Sequence, residues 1–388
     1  MPTFFRALRL LQFGFMCGAL VWTRPAGAAE VVAPEAAWAD LSLWSLTTSA
    51  SLSAGYRDNV LLSATGEEGS PLIKAELECM ALRLPEESWD GFLFFSAVEH
   101  QFLSAEETDH ERTVLLAGQA RWQPAAPWQA TFAARGYHHD QVFDVSVTEA
   151  ELRTAPLKME GFVAGPTVRW IAGRLWVEAA GHYRRDRYHD EVDGYEEGEG
   201  AVRLGYTWAK KTELSVGGAQ RRRDHDDRPQ FTLGGRPISG SRLSFEQTEV
   251  NAKVAWTPPD SAWSFGAGAL REENRDSGTG YFDYDRDEAN ATVTWRGERL
   301  TLRLFSSVAR YLFPRQLEGA GLEPKMRYKD EWRGTFEATW KLNERWALLG
   351  VCESERTRSN DPRSQFSVNT AYLGVRWEWD NLAQMITP

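Results

Sequence analysis

The chain has 388 residues, a formal net charge of −11 and 17 tryptophans. Acidity of this size argues against a nucleic-acid binder, which needs a basic face to meet phosphates. The tryptophan count also argues against an ordinary soluble core, because a buried indole N–H needs a partner, whereas a membrane–water interface leaves one edge of the ring wet.

The first residues read as an export signal. Arg6 and Arg9 precede the apolar run "LLQFGFMCGALVW", and "AGA" at residues 26–28 offers a cleavage site before Ala29. The apolar run is short for a membrane anchor. Met16 stands before Cys17 where a lipoprotein signal has a small residue. Removal of residues 1–28 deletes three arginines and no acid, taking −11 to −14. Residues 29–43 follow as a short periplasmic segment, with a brief helical period near "APEAAWADL". Beyond the leader no apolar run reaches the length of a transmembrane helix.

From residue 44 the pattern is alternation of apolar and polar positions, the period of a strand. "TEVNAKVAW" sets Val250, Ala252, Val254 and Trp256 against Glu249, Asn251 and Lys253. The alternation predicts sixteen strands: 44–57, 70–84, 89–104, 112–123, 127–144, 155–170, 173–188, 194–208, 211–224, 243–257, 261–274, 285–296, 298–312, 326–341, 344–357 and 365–379. Most exceed the usual globular strand of about five or six residues. The links alternate in length. Tight ones such as "PEES", "AG", "AK" and "LNE" take turns with long polar ones such as "DNVLLSATGEEGS" and "HDDRPQFTLGGRPISGS". Short periplasmic turns and longer external loops are the asymmetry of an antiparallel transmembrane barrel.

The aromatic residues follow the same asymmetry. Trp44, Trp89, Trp122, Trp128, Trp170, Trp176, Trp208, Trp256, Trp263, Trp295, Trp340 and Trp346 sit at the short-turn ends, joined by Trp377 and Trp379 at the terminus, and predict a periplasmic belt. Tyr56, Tyr137, Tyr183, Tyr188, Tyr195, Tyr281, Tyr284, Tyr311 and Tyr328 sit at the opposite ends and suggest a second belt. Lys74, Glu76, Glu78, Arg203, Glu249, Lys253, Arg303, Glu337 and Arg376 fall opposite the apolar stripes. Each Lys or Arg on the lipid side at mid-bilayer costs about 2–4 kcal/mol, so these charges are expected to line a wet lumen. The expected fold is therefore all-β: an up-and-down transmembrane barrel of about 16 strands (range about 14–18) over residues 44–379, with a periplasmic tail at 380–388.

Near the C-terminus, "YLGVRWEW" carries Tyr372, Gly374, Trp377 and Trp379 and resembles the assembly signal of bacterial outer-membrane β-barrels. That resemblance implies recognition by the barrel-assembly machinery, although the family usually ends on the aromatic and here Asp380 to Pro388 follow. "GYRDNVLLS" at 55–63 resembles the first hairpin of the β-barrel porin 2 group, which implies an association with exopolysaccharide export. Asp-Asn is also common turn chemistry.

Other clusters read as ordinary surface. "HYRRDRYHD" (182–190) and "RRRDHDD" (221–227) interleave acids with arginines and suit an ion-paired rim; the alternative is a site for anionic sugars or lipopolysaccharide phosphates. "DYDRDEAN" (283–290) has alternate aspartates, but Glu288 stands where a calcium loop needs Gly. Cys79 and Cys352 are isolated and make no metal site. "HHD" (138–140) and Ser146 are the nearest approach to a hydrolase constellation, with no Gly-x-Ser-x-Gly elbow. The expectation is a non-enzymatic, cofactor-free channel of the outer membrane, contacting outer-membrane lipid and lipopolysaccharide and passing hydrophilic solutes. The alternative is a part in surface polysaccharide export or anchoring, with a rim hydrolase as a weaker third reading.

Overall fold

A computed structural model describes residues 44–380, except 87, 148–153, 190–192, 210–211 and 319–323. The expected signal (1–28), the 29–43 segment and residues 381–388 of the expected tail lie outside the described residues.

Sixteen strands run in chain order: β1 Trp44–Arg57, β2 Ser70–Glu86, β3 Trp89–Phe102, β4 His110–Ala125, β5 Trp128–Asp144, β6 Thr154–Ala172, β7 Leu175–Tyr188 and β8 Tyr195–Ala209. They continue with β9 Thr212–His225, β10 Ser244–Trp256, β11 Trp263–Asp276, β12 Tyr284–Arg296, β13 Leu300–Glu318, β14 Lys325–Lys341, β15 Trp346–Ser359 and β16 Phe366–Asp380. Each is antiparallel to its chain neighbours, and β16 closes on β1 to complete a barrel. Closure removes both free edges, so no strand is left as a template for aggregation.

Strand ends fall within two residues of expectation except at the end of β13, and two of the differences have structural consequences. β13 was expected to stop at 312 but runs to Glu318. Pro314 has no N–H to donate, so the pairing with β14 breaks after Phe313 and resumes at Leu317 with a shifted register. Asp380, expected in the tail, is the last strand residue and lies opposite Thr47.

The alternation sorts side chains onto two faces. The outer face of β5 reads Trp128, Ala130, Phe132, Ala134 and Gly136, then His138 and Asp140. The outer face of β14 reads Trp340, Ala338, Phe336, Gly334 and Trp332, then Asp330. Leu373, Leu52, Val202 and Leu304 are 74%, 61%, 59% and 51% exposed, so the outward face is apolar and open. About ten residues separate the tryptophan from the first charge, which at ~3.3 Å per residue and ~40° tilt makes an apolar band of roughly 25 Å.

Buried apolar clusters occur instead at the long-loop end: Val60 with Leu72 and Phe102, Leu243 with Phe245 and Phe282, and Tyr284 with Tyr311 and Phe313. They pin the long loops to the barrel mouth.

Gly374 sits at the closing seam. A Cβ there would come within 2.5 Å of the Leu52 carbonyl oxygen and 2.0 Å of Ser53 Oγ. Gly374→Ala is therefore expected to loosen the β1–β16 seam by about 1–3 kcal/mol, the usual cost of forcing extra volume into a packed site. A urea midpoint in lipid vesicles unchanged from wild type would refute this.

Candidate functional site

The interior of the barrel is where chemistry-bearing groups converge. Lys74, Glu76, Glu78, Arg203, Glu249, Lys253, Arg303, Glu337 and Arg376 all take the inward phase of their strands. They join several networks. Lys74 Nζ lies 3.3 Å from Glu76 and donates to the Tyr372 hydroxyl at 3.2 Å; that hydroxyl donates in turn to Glu353 at 3.4 Å. Ser51 and Ser49 donate to Glu76 and Glu78 across the β1–β2 ladder. Glu178 holds Arg169 at 2.6 Å and Arg203 at 3.3 Å. Arg221 bridges Glu199, Glu249 and Glu272 at 2.5, 2.6 and 3.5 Å, tying β8 to β11. One guanidinium among three carboxylates suits its five fixed donors.

The sharpest feature is a strap across the lumen. The chain leaving β5 turns at Asp144, whose Oδ1 accepts the Ser146 N–H at 3.0 Å. Asp144 Oδ2 then meets Lys329 Nζ at 2.6 Å, and the Ser146 carbonyl accepts from Arg327 at 2.9 Å. Val147 packs on the Tyr284–Tyr311–Phe313 cluster. β5 and β14 are nine strands apart one way round the sixteen-strand ring and seven the other, so the strap joins opposite walls. Its anchors are built into the wall. Lys329 also holds Glu331 at 2.7 Å, and Arg327 donates to Gln316 at 2.7 Å and to Ser364 at 3.2 Å.

Below the strap lies a cavity of about 270 Å³ whose lining includes Arg57, Glu111, Gln141, Arg333, Glu353 and Glu355. Arg57 pairs with Glu111 at 2.7 Å and Arg333 with Glu355 at 3.2 Å. The strap level is dry, with the Lys329 side chain 1% exposed. Toward the short-turn end the interior opens to water: inward Arg303 is 52% exposed and its partner Glu337 41%, at 3.6 Å. A further recess of about 300 Å³ there is lined by Arg169, Trp176, Arg203, Glu213 and Lys253, among others.

Thirteen of the expected belt tryptophans take the outward phase: Trp44, Trp89, Trp122, Trp128, Trp170, Trp208, Trp256, Trp263, Trp295, Trp340, Trp346, Trp377 and Trp379. Trp176 does not. It shares the inward phase of Glu178, is 3% exposed and stacks under the Arg169 guanidinium at 4.1 Å, while Leu175 takes the outward place. Position along the strand suggested a belt; the parity of the strand decides otherwise.

The second belt also resolves differently. Of the tyrosines named for it, Tyr56, Tyr183 and Tyr328 face outward, whereas Tyr137, Tyr195, Tyr284 and Tyr311 face the interior. A phenol gains more from a partner than from lipid: Tyr137 donates to Asp186, and Tyr284 to Glu272 at 2.7 Å. Tyr372 and Gly374 face inward and Trp377 and Trp379 outward, as the alternation requires.

The remaining motifs are dispersed. His138 faces outward near Glu160 at 3.6 Å, while His139 faces inward at 3.1 Å from Thr113, and Ser146 sits on the strap, so no triad forms. The two arginine clusters split by parity into inward Arg184, Arg221 and Arg223 and outward Arg185, Arg187 and Arg222. Arg185 pairs with Asp226 at 2.6 Å and Arg223 with Glu197 at 2.8 Å. The aspartates of 283–290 separate too. Asp285 and Asp287 face outward, and Asp283 accepts the Asp276 N–H in the preceding turn, where burial pushes its carboxyl above the usual range. Cys79 and Cys352 are free thiols on the outer face.

Sequence reasoning did not single out Glu111, Asp144, Arg327, Lys329, Arg333, Glu353 or Glu355, and it met Arg57 and Arg221 only inside motifs noted for other reasons. A signal existed for part of this set: stepping back by twos from Glu337 reaches Arg333, Glu331, Lys329 and Arg327, a dense inward charge run.

No protein-family model matches the chain, and no curated protein matches it in sequence. Its structural neighbours are outer-membrane β-barrels. OmpT of Vibrio cholerae aligns at 10% identity over 87% of this chain and 97% of that one, with a TM-score of 0.44. OccAB1 of Acinetobacter baumannii aligns at 8% identity over 87% and 96%, with a TM-score of 0.47. A bacterial polysaccharide outer membrane secretin aligns at 9% identity over 87% and 98%, with a TM-score of 0.39. At these identities none of them transfers an activity to this chain.

Proposed function

We propose that this protein is an outer-membrane channel that passes small hydrophilic solutes, with its tryptophan girdle at the periplasmic interface and its long loops outside. The observation that carries the reading is a closed barrel with an apolar outer band and an inner wall of charges narrowed by the Asp144–Val147 strap. Side chains and an infolded segment of this kind select by size and charge. Signal-peptide export to that membrane belongs to the same reading, as does assembly through the Tyr372–Trp379 signal.

Purified protein in planar bilayers is expected to give discrete conductance steps. The cavity under the strap counts three carboxylates, Glu111, Glu353 and Glu355, against Arg57 and Arg333. A mild cation preference at low salt follows, and Glu353→Gln with Glu355→Gln is expected to shift the reversal potential toward anions. Silent bilayers from correctly folded protein would sink the channel reading and favour a role in polysaccharide export or anchoring.

A further inference from the structure

We propose that the outer face of β13–β16, at the long-loop edge of the apolar band, is a docking site for the phosphate-bearing headgroup of an outer-leaflet glycolipid. The proposal rests on the membrane reading above and adds a ligand site outside the lumen.

Around most of the barrel the first outward charges beyond the apolar band are neutralised in pairs. Glu99 meets Arg112 at 2.9 Å, and Asp140 meets Lys158 at 3.6 Å. From β11 to β15 the pairing register sets up a charge ladder, Arg271–Asp287–Arg310–Asp330–Arg358. Arg271 takes Asp287 at 3.3 Å and Arg310 takes Asp330 at 2.8 Å. The ladder has three arginines and two aspartates, so it ends on Arg358 with its opposing carboxylate already engaged. Arg356, one outward position nearer the membrane, lies opposite Trp332 on one side and Ser367 on the other. Among the described residues neither the Arg356 nor the Arg358 side chain has a hydrogen bond or ion pair; their backbones belong to the β-ladders. The next acid along, Asp58, accepts the Asn369 side-chain amide at 2.7 Å.

These two arginines line a groove of about 1010 Å³ on the outer surface with Trp332 and Val308; its lining also carries Asp287 and Asp330, already neutralised by Arg271 and Arg310, and Glu288, Glu331 and Glu355, which take the inward phase of their strands. Its chemistry changes with height. Val308 and Trp332 lie within the apolar band; Arg356 and Arg358 lie at and just beyond its edge. An unpaired arginine costs little at that depth, and a guanidinium grips phosphate through parallel N–H donors. Acyl chains against Val308 and Trp332 with phosphate on Arg356 and Arg358 satisfy both levels at once. A free anion would use the arginines only and leave the apolar floor exposed.

The test compares wild type with Arg356→Ala/Arg358→Ala, both folded into detergent micelles doped with a bisphosphorylated acyl disaccharide. Retained glycolipid is counted by native mass spectrometry. Wild type is expected to hold the glycolipid, and the double variant to bind it about tenfold more weakly or worse, the scale of losing charge-assisted contacts. Arg112→Ala, on a paired stretch of the same girdle, should bind as wild type does. Inorganic phosphate should not displace the lipid, and the dephosphorylated disaccharide should bind no better to wild type than to the double variant. Equal retention by wild type and double variant would overturn the site, as would displacement by inorganic phosphate. Insertion into vesicles is scored separately. A wild type that will not insert overturns the membrane reading and the site with it; an inserted barrel indifferent to the double substitution overturns the site alone.

Discussion

Replacing Lys329 with alanine is expected to release the strap and raise single-channel conductance roughly twofold or more, because the narrowest level of a pore dominates its resistance. The physical basis is the position of the ammonium group. It is buried between Asp144 at 2.6 Å and Glu331 at 2.7 Å, whose side chains are 10% and 12% exposed. Removing one partner of a buried ion pair leaves charge uncompensated and typically costs about 3–5 kcal/mol. Glu331 keeps Arg333 at 3.8 Å, so most of the penalty falls on Asp144, and the cheapest relief is for Asp144 to swing into the lumen water. The wall itself should survive, since the β13–β14 and β14–β15 ladders do not depend on the side chain. Lys329→Arg should keep the strap in place. Folded Lys329→Ala protein with wild-type conductance would show that the strap does not limit passage.

The second large effect separates two adjacent residues. Leu304→Arg is expected to destabilise the barrel by about 2–4 kcal/mol in lipid, the cost of a charge on the lipid face near mid-band. Leu304 is outward and 51% exposed, between the tryptophan girdle and Arg310. Its neighbour Arg303 is inward, wet and paired loosely with Glu337. Arg303→Leu should therefore cost no more than about 1 kcal/mol, the scale of an exposed ion pair. Urea titration in vesicles reads both. Equal costs at 303 and 304 would contradict the assignment of the two faces.

Strand order and facing were legible because the side-chain period of a strand is fixed at two. "RLTLRLF" states which of Arg303 and Leu304 is inward without any coordinates. The belt failed at Trp176 for the same reason it succeeded elsewhere: end position was used where parity was needed, and "LWVE" places Trp176 in phase with Glu178. The tyrosines misled because a phenol is at home both at an interface and beside a carboxylate, and sequence does not say which carboxylate lies across the barrel.

The linear chain by itself determined an antiparallel barrel of about 16 strands, the inward charges and the outward apolar band, and the structure fixed the number at sixteen with β16 closing on β1. The first three depend on local alternation and on turn length, both of which are properties of neighbours in sequence. Only the tertiary structure decided the strap, the cavity beneath it and the unmatched arginines outside. Asp144 and Lys329 are 185 residues apart, and the state of Arg358 depends on whether Asp330 has already been taken by Arg310 from the other side. The first pairing needs a segment folded inward to meet the far wall and the second depends on which neighbouring strand Asp330 serves, and no local period encodes either.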